Sequence, residues 1–558
     1  MMFHTIAFIL GFLPVCLTGF FTLGRFFGSA WALRWLVACS LFFYAWWSPE
    51  HLPLLLGSVV ANHTIAWKIR NSGDPGGWLT GGIVLNLAVL GWFKYADFLL
   101  HMVIPAAPAL SIALPLAISF FTFQQIMFLV DTRRRCCVLA GSQTAHFMLA
   151  VGPISDQGTK PDQGTRPDQG TKPYPETKPE IAMDTGVYRG GGIISEHNVE
   201  AKARTSGLYS SALGAHSLLP YAAFVTFFPH LIAGPIVRPS DILPQLASVS
   251  LARPRVRNLA DGILIFLLGL GKKLVLADLF GGFADIGFDA AAHGAALTFF
   301  EAWYATLSYG LQIYFDFSGY SDMAIGLARM LNVHFPLNFD SPYQATDIAA
   351  FWRRWHITLG AFLRDYLYIP LGGNRVGTLH QTANLMATML LAGLWHGAAW
   401  NFVIWGGLHG LFLVIHTQYR RVFPPMHAAA AHAITLLAVI LAWVPFRATS
   451  LAGTLAMLRG MAGCNGIALP RMIVAAFPPL ASIADPVAVM PFLGDARTLS
   501  FPEVSACLLL GWLIVLTLPN VHRMTERARH WTLTGSFAFS VQALFFAPHV
   551  APFLYFQF

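Results

Sequence analysis

TANLMATMLLAGLWHGAAWNFVIWGGLHGLFLVIHT, residues 382–417, runs its whole length without an Asp, Glu, Lys or Arg. A helix that crosses the hydrocarbon core of a bilayer needs about 20 mainly apolar residues. The stretch therefore reads as two spans, 382–398 and 400–417, with His396 near the end of the first. Inside lipid each backbone N–H and C=O must find its partner within the segment, so such spans are helices.

Working outward, windows of similar length and apolarity occur near 3–23, 31–47, 51–69, 79–100 and 110–130, then near 259–280, 297–315, 430–446, 503–519 and 534–550. The fold class expected is all-α, a polytopic transmembrane bundle of about a dozen spans. Shorter apolar pieces at 221–237 and 317–331 are interrupted by Pro or Gly and read as re-entrant or half-spanning. Irregular backbone at membrane depth needs surrounding protein or a water-filled cavity, so two such pieces imply a cavity.

Composition leads to the same solvent. The 558 residues are 56% hydrophobic and 11% charged, with a mean hydropathy of +0.57, whereas soluble domains carry about 25% charged residues. Lipid is the partner this implies. The net charge of +8 does not mark a nucleic-acid binder, because the basic residues fall in short clusters at the ends of apolar runs: Arg133–Arg135, Lys272–Lys273 and Arg420–Arg421. Such clusters act as topology anchors on the cytoplasmic side, and the Arg133–Arg135 triplet is expected there. Six scattered cysteines form no CxxC or Cys/His pattern, so no metal site is expected. The N-terminus lacks a basic n-region and a clear cleavage site and reads as a retained span.

Five regions follow: N-terminal transmembrane helices at 1–132, a polar insert at 133–218, a core at 219–446, a non-spanning loop region at 447–502, and C-terminal helices at 503–558. Within the insert, residues 156–179 form a hexapeptide array, DQGTKP, DQGTRP, DQGTKP and YPETKP. Rich in Pro, Gly and charge, the array has too little apolar surface to offset its ordering entropy, and disorder is expected.

Chemistry-bearing residues gather in two places. Between Tyr314 and Arg375, Asp316 and Asp322 stand among aromatic and small residues, where an ionised carboxylate is costly unless paired or facing water. Arg329, Arg353 and Arg354 are the expected partners, in a network either structural or functional. Arg353 and His356 are spaced i, i+3 and share a helical face if the segment is one helix. With Trp352 and Trp355 alongside, Arg353 and Arg354 either anchor that helix at the interface or meet the phosphates of a nucleotide-type donor. The second place is GLWHGAAW (393–400), where His396 has no compensating charge in the local sequence. Burial disfavours imidazolium, so such a histidine stays neutral and able to accept a proton, as a general base must. Gly393, Gly397 and Ala398 are expected to leave space around the imidazole. The alternative is a core histidine bonded to a backbone carbonyl, and for His409 that is the favoured reading. Asp316, Asp322, Arg353, Arg354 and Trp395 make up the candidate substrate- or donor-binding set, with His396 as the candidate catalytic residue.

At these residues the chain resembles the membrane-bound O-acyltransferase family, in its bacterial alginate O-acetylase branch. The matching pieces are SFFTFQQIMFLVDT (119–132), FFPHLIAGPIVRPSDILPQL (227–246), YFDFSGYSDMAIGLARML (314–331), the run 341–375, GLWHGAAWNFVIWGGLHG (393–410) and PFLYFQF (552–558). The resemblance implies a bundle around a central tunnel in a bacterial inner membrane, with His396 at the family's catalytic histidine and His356 at its second functional position. It implies acetyl transfer from a cytoplasmic thioester, acetyl-CoA or a related donor, to hydroxyls of an extracytoplasmic exopolysaccharide such as alginate. It also implies periplasmic acetylation proteins as partners and no bound cofactor. D-alanyl or other acyl transfer, or a non-catalytic transporter or scaffold, are the rival readings. The insert departs from the family pattern, and DTGVYRGG (184–191) reads as a second copy of the expected exit from the 110–130 span.

Overall fold

The computed structural model describes residues 2–150, 217–375, 377–487, 501–524 and 553–554. The hexapeptide array, the DTGVYRGG fragment, the 534–550 window and most of the closing PFLYFQF lie outside the described residues. The chain divides into a unit of Met1–Arg133 with His216–Phe558 and a second unit of Arg134–Ala215.

The protein is all-α apart from one short strand pair among the described residues. In chain order the helices are α1 (Leu13–Phe27), α2 (Ser29–Ala45), α3 (Leu52–Asn71), α4 (Pro75–Leu90), α5 (Ala96–Val103) and α6 (Ile118–Ala150). Next come α7 (Leu218–Thr226), α8 (Phe228–Leu231), α9 (Pro239–Leu246), α10 (Val256–Gly271), α11 (Asp278–Ala292), α12 (Phe299–Met330), α13 (Ile348–Trp352) and α14 (Ile357–Leu363). The last are α15 (Thr378–His396), α16 (Trp400–Val422), α17 (Ala428–Arg447), α18 (Leu451–Met461), α19 (Arg471–Ala476) and α20 (Phe501–Thr517). Wider π-helical turns, Gly91–Tyr95 and Lys272–Ala277, join α4 to α5 and α10 to α11 without a break.

Among the described residues, three helical stretches are long and apolar enough by composition to cross a bilayer: Ala7–Phe27, Pro75–Val103 and Ala428–Arg447. The helix that departs furthest from that description is α12, which carries Glu301, Asp316, Asp322 and Arg329 yet buries nearly all its length in protein. Its start follows from a capping box, in which Glu301 Oε2 accepts from the Thr298 N–H (3.1 Å) and hydroxyl (2.8 Å). Residues 317–331 are thus not a half-span: they complete this helix, and the glycines thought to interrupt it serve close packing. Gly319 and Gly326 on α12 face Gly269 and Gly262 on α10, so close that a Cβ on Gly319 would lie 2.7 Å from the Gly269 carbonyl oxygen. Both pairs are seven residues apart, the repeat of a helix–helix seam built from small residues.

The 221–237 piece is broken as expected, into α7, α8 and an irregular AGPIV run. By contrast, the 110–130 window becomes helical only at Ile118, because Pro105, Pro108 and Pro115 remove backbone donors from the approach. Residues 447–487 hold α18, α19 and two parallel strands, β1 (Ala468–Pro470) and β2 (Asp485–Val487). Elsewhere the core is aromatic. Phe3 stacks on Tyr320 (4.8 Å) and Tyr320 on Phe553 (4.4 Å). Between α3, α4 and α6 the glue is polar, with Asn62 and Asn86 exchanging amide bonds (3.1 and 2.6 Å) and Ser58 donating to Gln125 (2.7 Å).

Candidate active site

His396 is the last residue of α15 and is 4% exposed. Its imidazole lies edge-on to Trp395 (4.8 Å), Trp405 (5.0 Å) and Phe446 (5.1 Å), drawn from α15, α16 and α17. The glycines expected to open space beside it instead bring helices together. A Cβ at Gly393 or Gly397 would collide with Phe402, and one at Gly406 with the Met389 carbonyl. The small residues therefore hold α15 against α16, and the ring's surroundings are aromatic.

A helix ending at His396 leaves its last carbonyls without intrahelical donors. The π-turn after α4 meets that need: Lys94 Nζ donates to the carbonyls of Trp395 (2.5 Å) and His396 (3.3 Å), and Tyr95 donates to that of Leu394 (2.8 Å). A cation there also complements the helix dipole. Neither residue was found by sequence reasoning, although a lone lysine within an apolar window is the signal that could have found Lys94.

His356 also lies near Trp395, its ring centroid 6.4 Å from that of the indole. It does not share a helix with Arg353. The segment 353–356 is a turn between α13 and α14, and His356 caps α14 with φ +41°, a left-handed conformation sparsely populated by non-glycine residues. The ring is buried, edge-on to Phe317 (4.7 Å), with Nδ1 3.0 Å from Asn338 Oδ1. Arg353 is exposed and Arg354 half-buried on that turn, and neither reaches the aspartates.

Asp316 and Asp322 pair instead with the two lysines expected to be topology anchors. Lys273, 2% exposed, sits 2.7 Å from Asp316 and 2.8 Å from Asp278, while Lys272 sits 2.6 Å from Asp322. His522 (3.0 Å) completes the Asp322 pairing, and Asp316 accepts the Leu554 N–H (2.9 Å). Adjacent lysines in a π-turn thus reach two carboxylates six residues apart on α12, a contact between distant segments that local spacing could not reveal. His409, one turn beyond Trp405, lies between Trp405 (4.8 Å) and Trp352 (5.2 Å). Neither of its nitrogens meets a partner among the described residues, so the expected bond to a backbone carbonyl is not made. Among the described residues no group of three or more His, Cys, Asp or Glu side chains could hold a metal ion.

The fold and site define a membrane-embedded helical protein with a buried, aromatic-lined histidine pair and no metal-binding cluster among the described residues. Residues 100–458 match the model of the membrane-bound O-acyltransferase family, and the chain belongs to that family. It is 38% identical to a peptidoglycan O-acetyltransferase of Helicobacter pylori, over 100% of this chain and 98% of that protein. It is 35% identical to a probable alginate O-acetylase of Pseudomonas aeruginosa, over 81% of this chain and 73% of that protein. A teichoic acid D-alanyltransferase of Streptococcus thermophilus is 30% identical over 36% of this chain and 50% of its own length. The chain is thus a membrane O-acyltransferase.

Proposed function

We propose that the protein transfers an acetyl group from a cytoplasmic thioester, acetyl-CoA, to hydroxyls of an extracytoplasmic glycan, across a bacterial inner membrane. The observation that carries the reading is the burial of His396, at the end of α15, and of His356, at the start of α14, each with its ring packed near the Trp395 indole. His396 takes the proton of the acceptor hydroxyl, whose oxygen attacks the thioester carbonyl carbon. The C–S bond breaks, and the imidazolium returns its proton to the leaving thiolate. General-base help of this kind contributes about 10²- to 10⁴-fold, and holding the reactants in line contributes further.

The similarity to a peptidoglycan O-acetyltransferase over the full chain favours peptidoglycan as the acceptor, with an alginate-like exopolysaccharide as the second reading through its partial-length relatives. Periplasmic acetylation proteins are proposed partners in either case. The test is the base-releasable acetate of purified peptidoglycan and of exopolysaccharide from a deletion strain complemented with the parent gene or with His396→Ala. Acetate restored by the parent alone, in one glycan, identifies the acceptor. Equal restoration by His396→Ala removes His396 from the chemistry.

A further inference from the structure

Asn338 lies in the extended stretch between α12 and α13, and it is tied to the His356 turn twice over. Along the main chain, Asp340 N–H donates to the Arg354 carbonyl and Ile357 N–H to the Asn338 carbonyl, both at 2.9 Å. These bonds bracket His356 and hold its left-handed backbone, a conformation that persists only where neighbours over-determine it.

The fully buried Asn338 side chain has its orientation fixed by what surrounds it. Its Nδ2 donates to Ser321 Oγ (3.1 Å). Its Oδ1 accepts from the Thr358 N–H (3.4 Å), which can only donate, and from Thr358 Oγ1 (2.9 Å), itself already accepting from Ile236 N–H (2.9 Å). The atom 3.0 Å from His356 Nδ1 is therefore an acceptor, and Nδ1 must carry the ring proton. That leaves a lone pair on Nε2, which is buried and meets no hydrogen-bond partner among the described residues.

We propose that Asn338 is a positioning residue that locks His356 in its Nδ1–H tautomer, so that the bare Nε2 receives a hydrogen-bond donor of the acceptor sugar. A hydroxyl beside the reacting one fits this lone pair. The thioester carbonyl, having no hydrogen, does not. The inference rests on the acyl-transfer reading and assigns the glycan, not the acetyl donor, to His356 Nε2. Around the ring, α15 contributes one titratable group, His396. Phe317 and Ser321 of α12, Asn338 and Phe339 do not titrate.

The experiment uses the full-length protein in membranes, labelled acetyl-CoA and purified peptidoglycan, with transfer followed against pH. Asn338→Leu is expected to lower kcat/KM for the glycan about 10-fold, chiefly through KM, the scale of one hydrogen bond. Asn338→Asp keeps an acceptor at Nδ1 but adds a charge that favours imidazolium. It is expected to move the acid limb of kcat/KM upward by about one pH unit, a shift that a purely structural asparagine would not produce. If the Leu variant fails to insert, the Asp profile decides alone. An unshifted acid limb in Asn338→Asp, with His396→Ala inactive, overturns this inference and leaves acyl transfer standing. A parent protein that transfers nothing overturns both.

Discussion

Two faces of α12 carry the polar architecture in opposite ways. On the face centred on Gly319, four ionisable side chains meet as pairs: Lys272 with Asp322, and Lys273 with Asp316, with Asp278 and His522 adding further contacts. The face of Phe317 and Ser321 looks instead toward His356 and Asn338. In the histidine and tryptophan cluster beyond it, buried side-chain polar atoms go without partners among the described residues: Nε2 of His356, both nitrogens of His409, and the indole N–H groups of Trp395 and Trp405. Folding alone satisfies the first region. An unmatched buried donor or acceptor costs about 1–3 kcal/mol, so the second retains a deficit that a polar guest relieves. Buried charge here marks where the protein grips itself, and unmatched neutral groups mark where it grips something else.

The contrast predicts different failures on the two sides. The largest expected effect is on the neutral side: His396→Gln keeps volume and hydrogen bonding but takes up no proton near neutral pH, so acetyl transfer in membranes should fall about 10²- to 10⁴-fold at unchanged protein level. A rate within tenfold of the parent would break the general-base assignment. On the charged side, Lys273→Met should act through stability, stranding Asp316 at a cost of about 3–5 kcal/mol. Thermal denaturation in detergent and protein abundance read this out, and Lys273→Met with Asp316→Leu should recover part of the loss. A stable single variant with impaired turnover would erase the distinction between the regions.

Smaller effects sharpen it further. Lys94→Met removes the charge-assisted cap on α15 beside His396 and should cost about 1.5–3 kcal/mol, divided between stability and rate. Tyr95→Phe removes one neutral hydrogen bond to the Leu394 carbonyl and should cost about 1 kcal/mol. Comparing melting temperature with transfer rate for both tests whether the cap positions His396 or only ends a helix.

Apolar length made much of the fold legible, since the windows ending at α15, α16 and α17 correspond to helices within a few residues. Legibility failed where tertiary contact changed the meaning of a residue type. Glycines at 319 and 326 read as interruptions because a single sequence does not show the facing glycines of α10. Lysines at 272 and 273 read as anchors because Asp322 and Asp316, the carboxylates they meet on α12, belong to a distant segment of the sequence. For the site, His396 stood out as a polar residue in apolar surroundings and His356 through its spacing from Arg353 and the family resemblance, whereas Asn338 gave no signal: its role exists only through bonds to Ser321, His356 and Thr358.

The π-turn at Gly91–Tyr95 also makes two stretches of helix rotationally independent. Each residue of an α-helix turns the chain by about 100°. Deleting one residue from Gly91–Trp92 could restore a regular helix, but only by swinging all of α4 through about that angle relative to Lys94. Asn86 would then leave Asn62, or Lys94 would leave the end of α15. The wide turn works as a gearing offset: it lets one continuous helix mesh with α3 at one end and with the His396 site at the other, on registers that a uniform pitch could not serve together.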